Sequence, residues 1–357
     1  MPLLMLDGFA YRNPTTDNVA YTAGSSVALT TPPFTNSSAV QGVIHWDFGA
    51  PEEFEDICCG LRWRNGLNGQ PPIVFSNSIS GFTCSVLSDG MGRFSISVSL
   101  AGTPTTTDAS TLNISANEWN FLELSIQTSK IHIPFDPGPP EVPEAYRMLV
   151  IYELRVNDEV FLSGSIETAE RFLLGSGLDS NPWIGHLNVG AVEINALGLA
   201  SMTDFYLTAS PGDFKGDSSI RTLYPALDVA TDFTPSVGTA HYALVNDHPD
   251  DTSTYNSATT VGNIDSYGFD SLPTWAGGTQ TINGIMALWH LATSDPASGG
   301  VFGFYNTPSN FTANFYPLPG GTFEYFYDCE EYTWGSSSVK WTEGGINSLV
   351  VGTERIG

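Results

Sequence analysis

Residues 92–100 read GRFSISVSL, and every second side chain from Phe94 onward is apolar. Phe94, Ile96, Val98 and Leu100 point one way while Ser95, Ser97 and Ser99 point the other, the period of a strand with one buried face. Residues 117–127, NEWNFLELSIQ, repeat the pattern, with Leu122, Leu124 and Ile126 set against Glu123, Ser125 and Gln127. A second half-buried antiparallel strand follows from it. Met148–Val156 is more continuously apolar, which suits a strand covered on both faces. After it, Asn157-Asp158 signals a hairpin into Val160–Ser165.

Turn chemistry surrounds these strands. Asn65-Gly66, Asn68-Gly69, Asp89-Gly90 and Asn283-Gly284 supply residues that tolerate positive φ, as tight hairpins require. With 36 Gly and 23 Pro, long helices have little room, and Ile166–Leu174 is the stretch that suits a short one. Many short strands separated by turns predict an all-β fold of sandwich or barrel type.

The chain has 357 residues, more than one domain of usual size. The Pro-rich run Pro134–Pro143 (PFDPGPPEVP) is flanked by strand-like sequence on both sides and reads as a stiff loop inside the first domain. A boundary fits better near residues 225–240, where strand-like Ser219–Tyr224 meets Pro225 and a polar, extended tract follows. From about Tyr267 the sequence is again β-rich, with Thr322–Tyr332 aromatic and alternating and Asn347–Gly352 a short apolar strand.

Thirty-eight acids against 12 Lys and Arg give a net charge of −26, so nucleic acid and anionic membranes are disfavoured as partners. No run of 18 apolar residues exists, and MPLLMLDGFAYR lacks the basic leader of a signal peptide. Cys58, Cys59, Cys84 and Cys329 have no zinc-ligand spacing and read as buried thiols, with a Cys84 bridge to Cys58 or Cys59 as the alternative.

Candidate chemistry is sparse. Asp247, Asp250 and Asp251 with His248 form an acidic tract, read as a solvated loop, with a hard-cation site as the alternative. Asp213 and Asp217 around Lys215 read the same way. Glu52, Glu53, Glu55 and Asp56 are neighbours on one loop, whereas glycoside hydrolysis needs two acids facing one cleft. Glu330-Glu331 is a weaker instance. His45, His132, His186, His241, His248 and His290 show no HxH or HExxH spacing, and no nucleophile elbow or phosphate loop occurs. Trp63, Trp183, Trp275, Trp289, Trp334 and Trp341, with Tyr325, Tyr327 and Tyr332, read as core or subunit-interface anchors, and a sugar-stacking platform is the alternative. No catalytic residue, metal site or cofactor is therefore expected.

Several segments carry a resemblance. LDGFAYR (6–12) is similar to an opening strand, NEWNFLELSIQ (117–127) to a paired Trp–Glu strand, and VNDEVFLSG (156–164) to the hairpin after it. The most specific stretch is 203–272, which runs from TDFYLT through TPS, HY, VND, PDD and TY elements; VKWTEGGINSLVVGTER (339–355) is similar to a closing strand. The chain thereby resembles a recurrent family of tailed-phage virion structural proteins. In that family a concanavalin A-like, laminin-G-type jelly roll precedes a second β-sandwich. The resemblance implies a jelly-roll domain over 1–230 and a smaller C-terminal β-sandwich over 231–357. It also implies a non-enzymatic structural protein on the phage virion surface, as a decoration, collar or tail-associated subunit, made in the host cytoplasm. Its partners would be other virion proteins and further copies of itself, with a trimer the first expectation. A lectin-like tail adhesin that binds host glycans is the alternative.

Overall fold

A computed structural model describes residues 3–7, 24–30, 39–47, 54–64, 72–78, 81–100, 102–115, 118–134, 145–168, 172–173, 189–196, 201–209, 212–246, 252–272, 281–294, 300–307, 310–317, 323–330 and 339–356. The protein is all-β, with antiparallel sheets.

Fourteen strands form the first sheet: β1 (Leu3–Asp7), β2 (Gly24–Thr30), β3 (Ala39–Asp47), β4 (Asp56–Arg64), β5 (Ile73–Asn77), β6 (Phe82–Ser88), β7 (Phe94–Leu100), β8 (Thr103–Thr106), β9 (Trp119–Ile133), β10 (Ala145–Val156), β11 (Glu159–Glu167), β12 (Phe172–Leu173), β13 (Ala191–Ala196) and β14 (Ser201–Thr208). Its main path runs β11-β10-β9-β4-β14-β3-β13-β5-β6-β7-β8. The sheet curls over on itself. Phe94 of β7 lies 6.4 Å, ring to ring, from Trp63 of β4 and 6.1 Å from Phe161 of β11, although β7 is far from both along the path. Side chains from β4, β9, β10 and β14 therefore share one core with those of β5, β6, β7 and β13. This makes the sandwich, and each fully buried Leu, Ile or Phe adds about 1.5–3 kcal/mol relative to exposure.

Strands β6 and β7 alternate buried and half-buried residues throughout, as the serine-spaced sequence requires. Asn157 and Asp158 take positive φ, 50° and 69°, in the β10–β11 hairpin turn. Ile133 pairs with Ala145 across β9 and β10, so the Pro-rich run, whose residues 135–144 lie outside those described, joins neighbouring strands of one sheet.

The second group comprises β15 (Pro225–Thr231), β16 (Thr234–Pro235), β17 (Asn256–Ser257), β18 (Ile264–Phe269), β19 (Ile285–Leu291), β20 (Gly300–Thr307), β21 (Asn310–Pro317), β22 (Glu324–Glu330) and β23 (Val350–Arg355). A five-stranded sheet, β15-β18-β23-β20-β21, faces the β19–β22 ribbon. Trp289 and Ala287 of the ribbon pack on Val351 of β23 and Phe269 of β18. Sheet membership changes between Thr208 and Pro225.

Four local expectations fail for physical reasons. Strand β9 is buried on both faces from Asn120 to Ile126, whereas β10 alternates and leaves Ile151 exposed, the reverse of the sequence reading. The stretch 166–174 is not helical where described: β11 runs to Glu167, and Phe172–Leu173 pairs with β10. Residues 219–224 form no strand, because Ile220 N–H donates to the Asp204 carboxylate (2.9 Å) instead of to a ladder. The closing strand starts at Val350, after a short helix, α1 (Glu343–Asn347), whose Thr342 Oγ1 accepts from Gly345 N (3.1 Å) as N-cap. No helix among the described residues is long and apolar enough to cross a membrane.

Gly60 of β4 sits between Glu123 of β9 and Tyr206 of β14 in register. A Cβ there would lie 2.2 Å from Tyr206 Cε1, so the missing side chain is what lets the tyrosine ring cross the strand. Gly60→Ala should cost about 1–3 kcal/mol by overpacking. Urea denaturation checks it, and a loss below about 0.5 kcal/mol would show that the ring moves freely.

Candidate functional site

Two buried polar networks stand out among the described residues, and both lie on the tract 203–272 or bind it. The first covers the outer face of β4, β9 and β14. Across it runs an extended strap, residues 212–221. Glu123, fully buried, accepts from Lys215 N (2.8 Å), Gly216 N (3.0 Å) and the Tyr206 hydroxyl at short range. Its other oxygen, Oε2, is buried without a hydrogen-bond partner among the described residues. Burial pushes the Glu123 carboxyl above its ordinary range, against the pull of Tyr206, Gly216 and Lys215. Gly212 N donates to Ser125 Oγ (2.7 Å), which completes the cover of the polar row of β9.

A β-bulge between Thr203 and Tyr206 sets Asp204 at φ 54° and turns its carboxylate to Arg62 Nε (3.1 Å). Arg62 also donates to Ser218 O (3.0 Å) and pairs closely with Asp217, while its guanidinium lies over the Phe121 ring. Burial raises the Asp204 carboxyl, opposed by Ile220 N–H and Arg62. Phe214 seals the strap: it packs on Cys58, Phe121 and Tyr206, with the Arg155 guanidinium 3.9 Å above its ring.

The second network is in the C-terminal group. Asp265, fully buried, accepts from Phe233 N (2.9 Å), the His241 ring (2.8 Å) and the Tyr267 hydroxyl (2.9 Å). Asp228 accepts from His241 N and Tyr242 N, and Asn256 Nδ2 donates to His241 O and to Tyr267. Burial, then the Asp265 charge, raises the Tyr267 hydroxyl. An Asp–His pair can orient a general base. Here no hydroxyl or thiol among the described residues bonds to the His241 ring, and the carboxylate's other partners are structural. His241→Ala should cost about 1–3 kcal/mol by leaving Asp265 short of a donor. Thermal melting tests this; an unchanged midpoint would mean that Asp265 finds another partner.

The other candidates fall as follows. Asp213 holds Lys215 Nζ (2.9 and 2.8 Å) and Asp217 holds Arg62, so these acids are ion-paired. Asp247, His248, Asp250 and Asp251 lie outside the described residues, as do Glu52, Glu53, Glu331, Tyr332, His186, Trp183, Trp275 and Trp334. Glu55 accepts from Thr128 only through its backbone oxygen, and Asp56 opens β4. Glu330 ends β22 opposite Ile285, and Tyr325 and Tyr327 stand on the same strand. His45 lies 3.7 Å from Glu193, His132 pairs in register with Tyr146, and His290 lies 5.0 Å from the Phe323 ring. Trp63, Trp289 and Trp341 are buried in cores. No group of three or more His, Cys, Asp or Glu among the described residues is placed to hold a metal ion.

No disulfide joins any of the four cysteines; Cys58, Cys59 and Cys84 are buried and Cys329 is half-buried. Alternation along β4 sends Cys59 into the sandwich core with Cys84 and Cys58 to the strap side with Tyr206. Burial pushes the Cys84 thiol up to about 12, so it is an inert apolar group. Sequence reasoning missed Glu123, Tyr206, Arg62, Asp204, Asp228 and Asp265. The signal available was a charged residue inside a strand, Glu123 or Arg62, but period two alone assigns such residues to solvent. Neither a scan against protein-family models nor a search of curated proteins gives a match to this chain.

Proposed function

We propose that this chain is a structural protein of a bacteriophage virion surface, as a decoration, collar or tail-associated subunit, with no catalytic activity of its own. The observation that carries the reading is the use made of residues 203–272. This tract bears the resemblance to tailed-phage structural proteins, and its carboxylates hold chain together: Asp204 binds Ile220 N and the Arg62 guanidinium, Asp228 binds Tyr242 N, and Asp265 binds Phe233 N, while the Lys215 and Gly216 amides of the tract bind Glu123 of the sandwich. Asp204, Asp228 and Asp265 hold chain in place through the Arg62 guanidinium, the His241 and Tyr242 amides and the His241 ring. The curled β-sandwich agrees with the concanavalin A-like jelly roll that the resemblance implies. An acidity of −26 keeps copies apart except through neutral strands, which favours ordered contacts with other virion proteins and with itself, a trimer being the first assembly to test.

The test is mass spectrometry of purified particles of the phage that encodes the chain, with copy number counted against the major capsid protein. Many copies per particle are expected. A chain absent from particles overturns the proposal. Few copies confined to a tail tip, together with glycan-array binding, would replace it with a lectin-like adhesin.

A further inference from the structure

The described residues 212–224, between β14 and β15, make no ladder, yet they are held from both sides. From the sandwich side, Glu123 binds Lys215 N and Gly216 N, Ser125 binds Gly212 N, Arg62 binds Ser218 O, and Asp204 binds Ile220 N. From the C-terminal side, Asn283, just before β19, donates its side-chain amide to Lys215 O (3.1 Å) and Ser218 Oγ (3.0 Å). Ser218 Oγ in turn donates to Lys215 O (2.8 Å), so the two atoms that Asn283 reads lie side by side only while the strap keeps this bend. Gly216 provides it with φ 70°, beside the Asp158 carboxylate.

We infer that residues 212–221 are a lock which fixes the C-terminal sheets to the sandwich, with Asn283 as the catch. Sheets joined by an unpaired extended connection otherwise move relative to one another by default. The lock turns the connection into a shared interface layer: one side of the strap belongs to β4, β9 and β14, and the other is read by Asn283. Strand β1 also approaches β19 and β22, and the strap sets the geometry in which that approach is made. The inference stands whether or not the chain belongs to a virion.

Calorimetry and small-angle scattering on the whole chain test it. Wild type is expected to melt in a single transition. Asn283→Leu, similar in size and without donors, should split off a C-terminal transition about 3–6 °C lower, with a larger maximum dimension in scattering. Ser218→Ala, which removes one of the two contacts, should act in the same direction by a smaller amount. Asn263→Ala, which breaks a comparable exposed bond to Asp232 O within the C-terminal group, should leave both readouts unchanged. Two independent transitions in wild type overturn the lock. So do Asn283→Leu and Ser218→Ala chains that match the Asn263→Ala control.

Discussion

Replacing Arg62 by Met is expected to cost about 3–5 kcal/mol, because it strands a carboxylate in the interior. The Asp204 side chain is fully buried and the Arg62 side chain is 7% exposed. Removing the guanidinium leaves Asp204 with the Ile220 N–H as its hydrogen-bond donor among the described residues and only the more weakly acting Arg221 charge. The same change releases Ser218 O and the half-exposed Asp217, so the strap loosens where Asn283 meets it. Neutralising the partner as well, in Arg62→Met/Asp204→Asn, should recover a large part of the loss, since the uncompensated charge is then gone. Chemical denaturation of the three variants decides. A single-variant loss under about 1 kcal/mol, or a double variant worse than the sum of its parts, would contradict the placement of this pair.

Glu123 should give the second large effect. In Glu123→Ala the Tyr206 hydroxyl and the Gly216 amide lose their acceptor, and Lys215 N keeps only its longer bond to the Tyr206 hydroxyl (3.2 Å); with each orphaned donor costing about 1–3 kcal/mol, a total near 3 kcal/mol is expected. Glu123→Gln keeps one acceptor oxygen and removes the buried charge, so it should lie within about 1 kcal/mol of wild type at neutral pH. The pH dependence fixes the sign. Burial raises the folded-state pKa of Glu123 above its unfolded value. The folded protein therefore binds the extra proton, and the stabilisation is full below the unfolded carboxylate range and lost as pH rises through the folded value. Wild type should accordingly gain on Glu123→Gln as pH falls from neutral into the carboxylate range. Parallel stability curves for the two proteins would mean that Glu123 is not buried as a titrating acid. The comparison with Glu123→Gln also cancels the general relief of self-repulsion that a net charge of −26 brings on acidification.

The amino-acid sequence by itself determined that the protein is all-β, where its most regular strands run, and that Asn157-Asp158 closes a hairpin. Period two in 92–100 admits no other backbone, since only an extended chain puts Phe94, Ile96, Val98 and Leu100 on one side. It also indicated that Pro134–Pro143 is a loop inside the first domain, because strand-like sequence flanks it on both sides; the pairing of Ile133 with Ala145 shows that the flanking strands are neighbours in one sheet. What it left undecided was which faces are covered. Glu123 and Ser125 alternate with leucines as solvent-facing residues do, yet the strap lies over them, drawn by amides that need an acceptor. Ile151 alternates into the open, and among the described residues nothing comparable covers that part of β10. Only the tertiary structure brings residue 62 to 204, 123 to 206 and 283 to 218. These pairings join strands and loops distant in the chain, and periodicity reports on one strand at a time. A charged residue inside a strand looks the same in sequence whether water or a buried partner satisfies it; the second sheet face and its cover decide which.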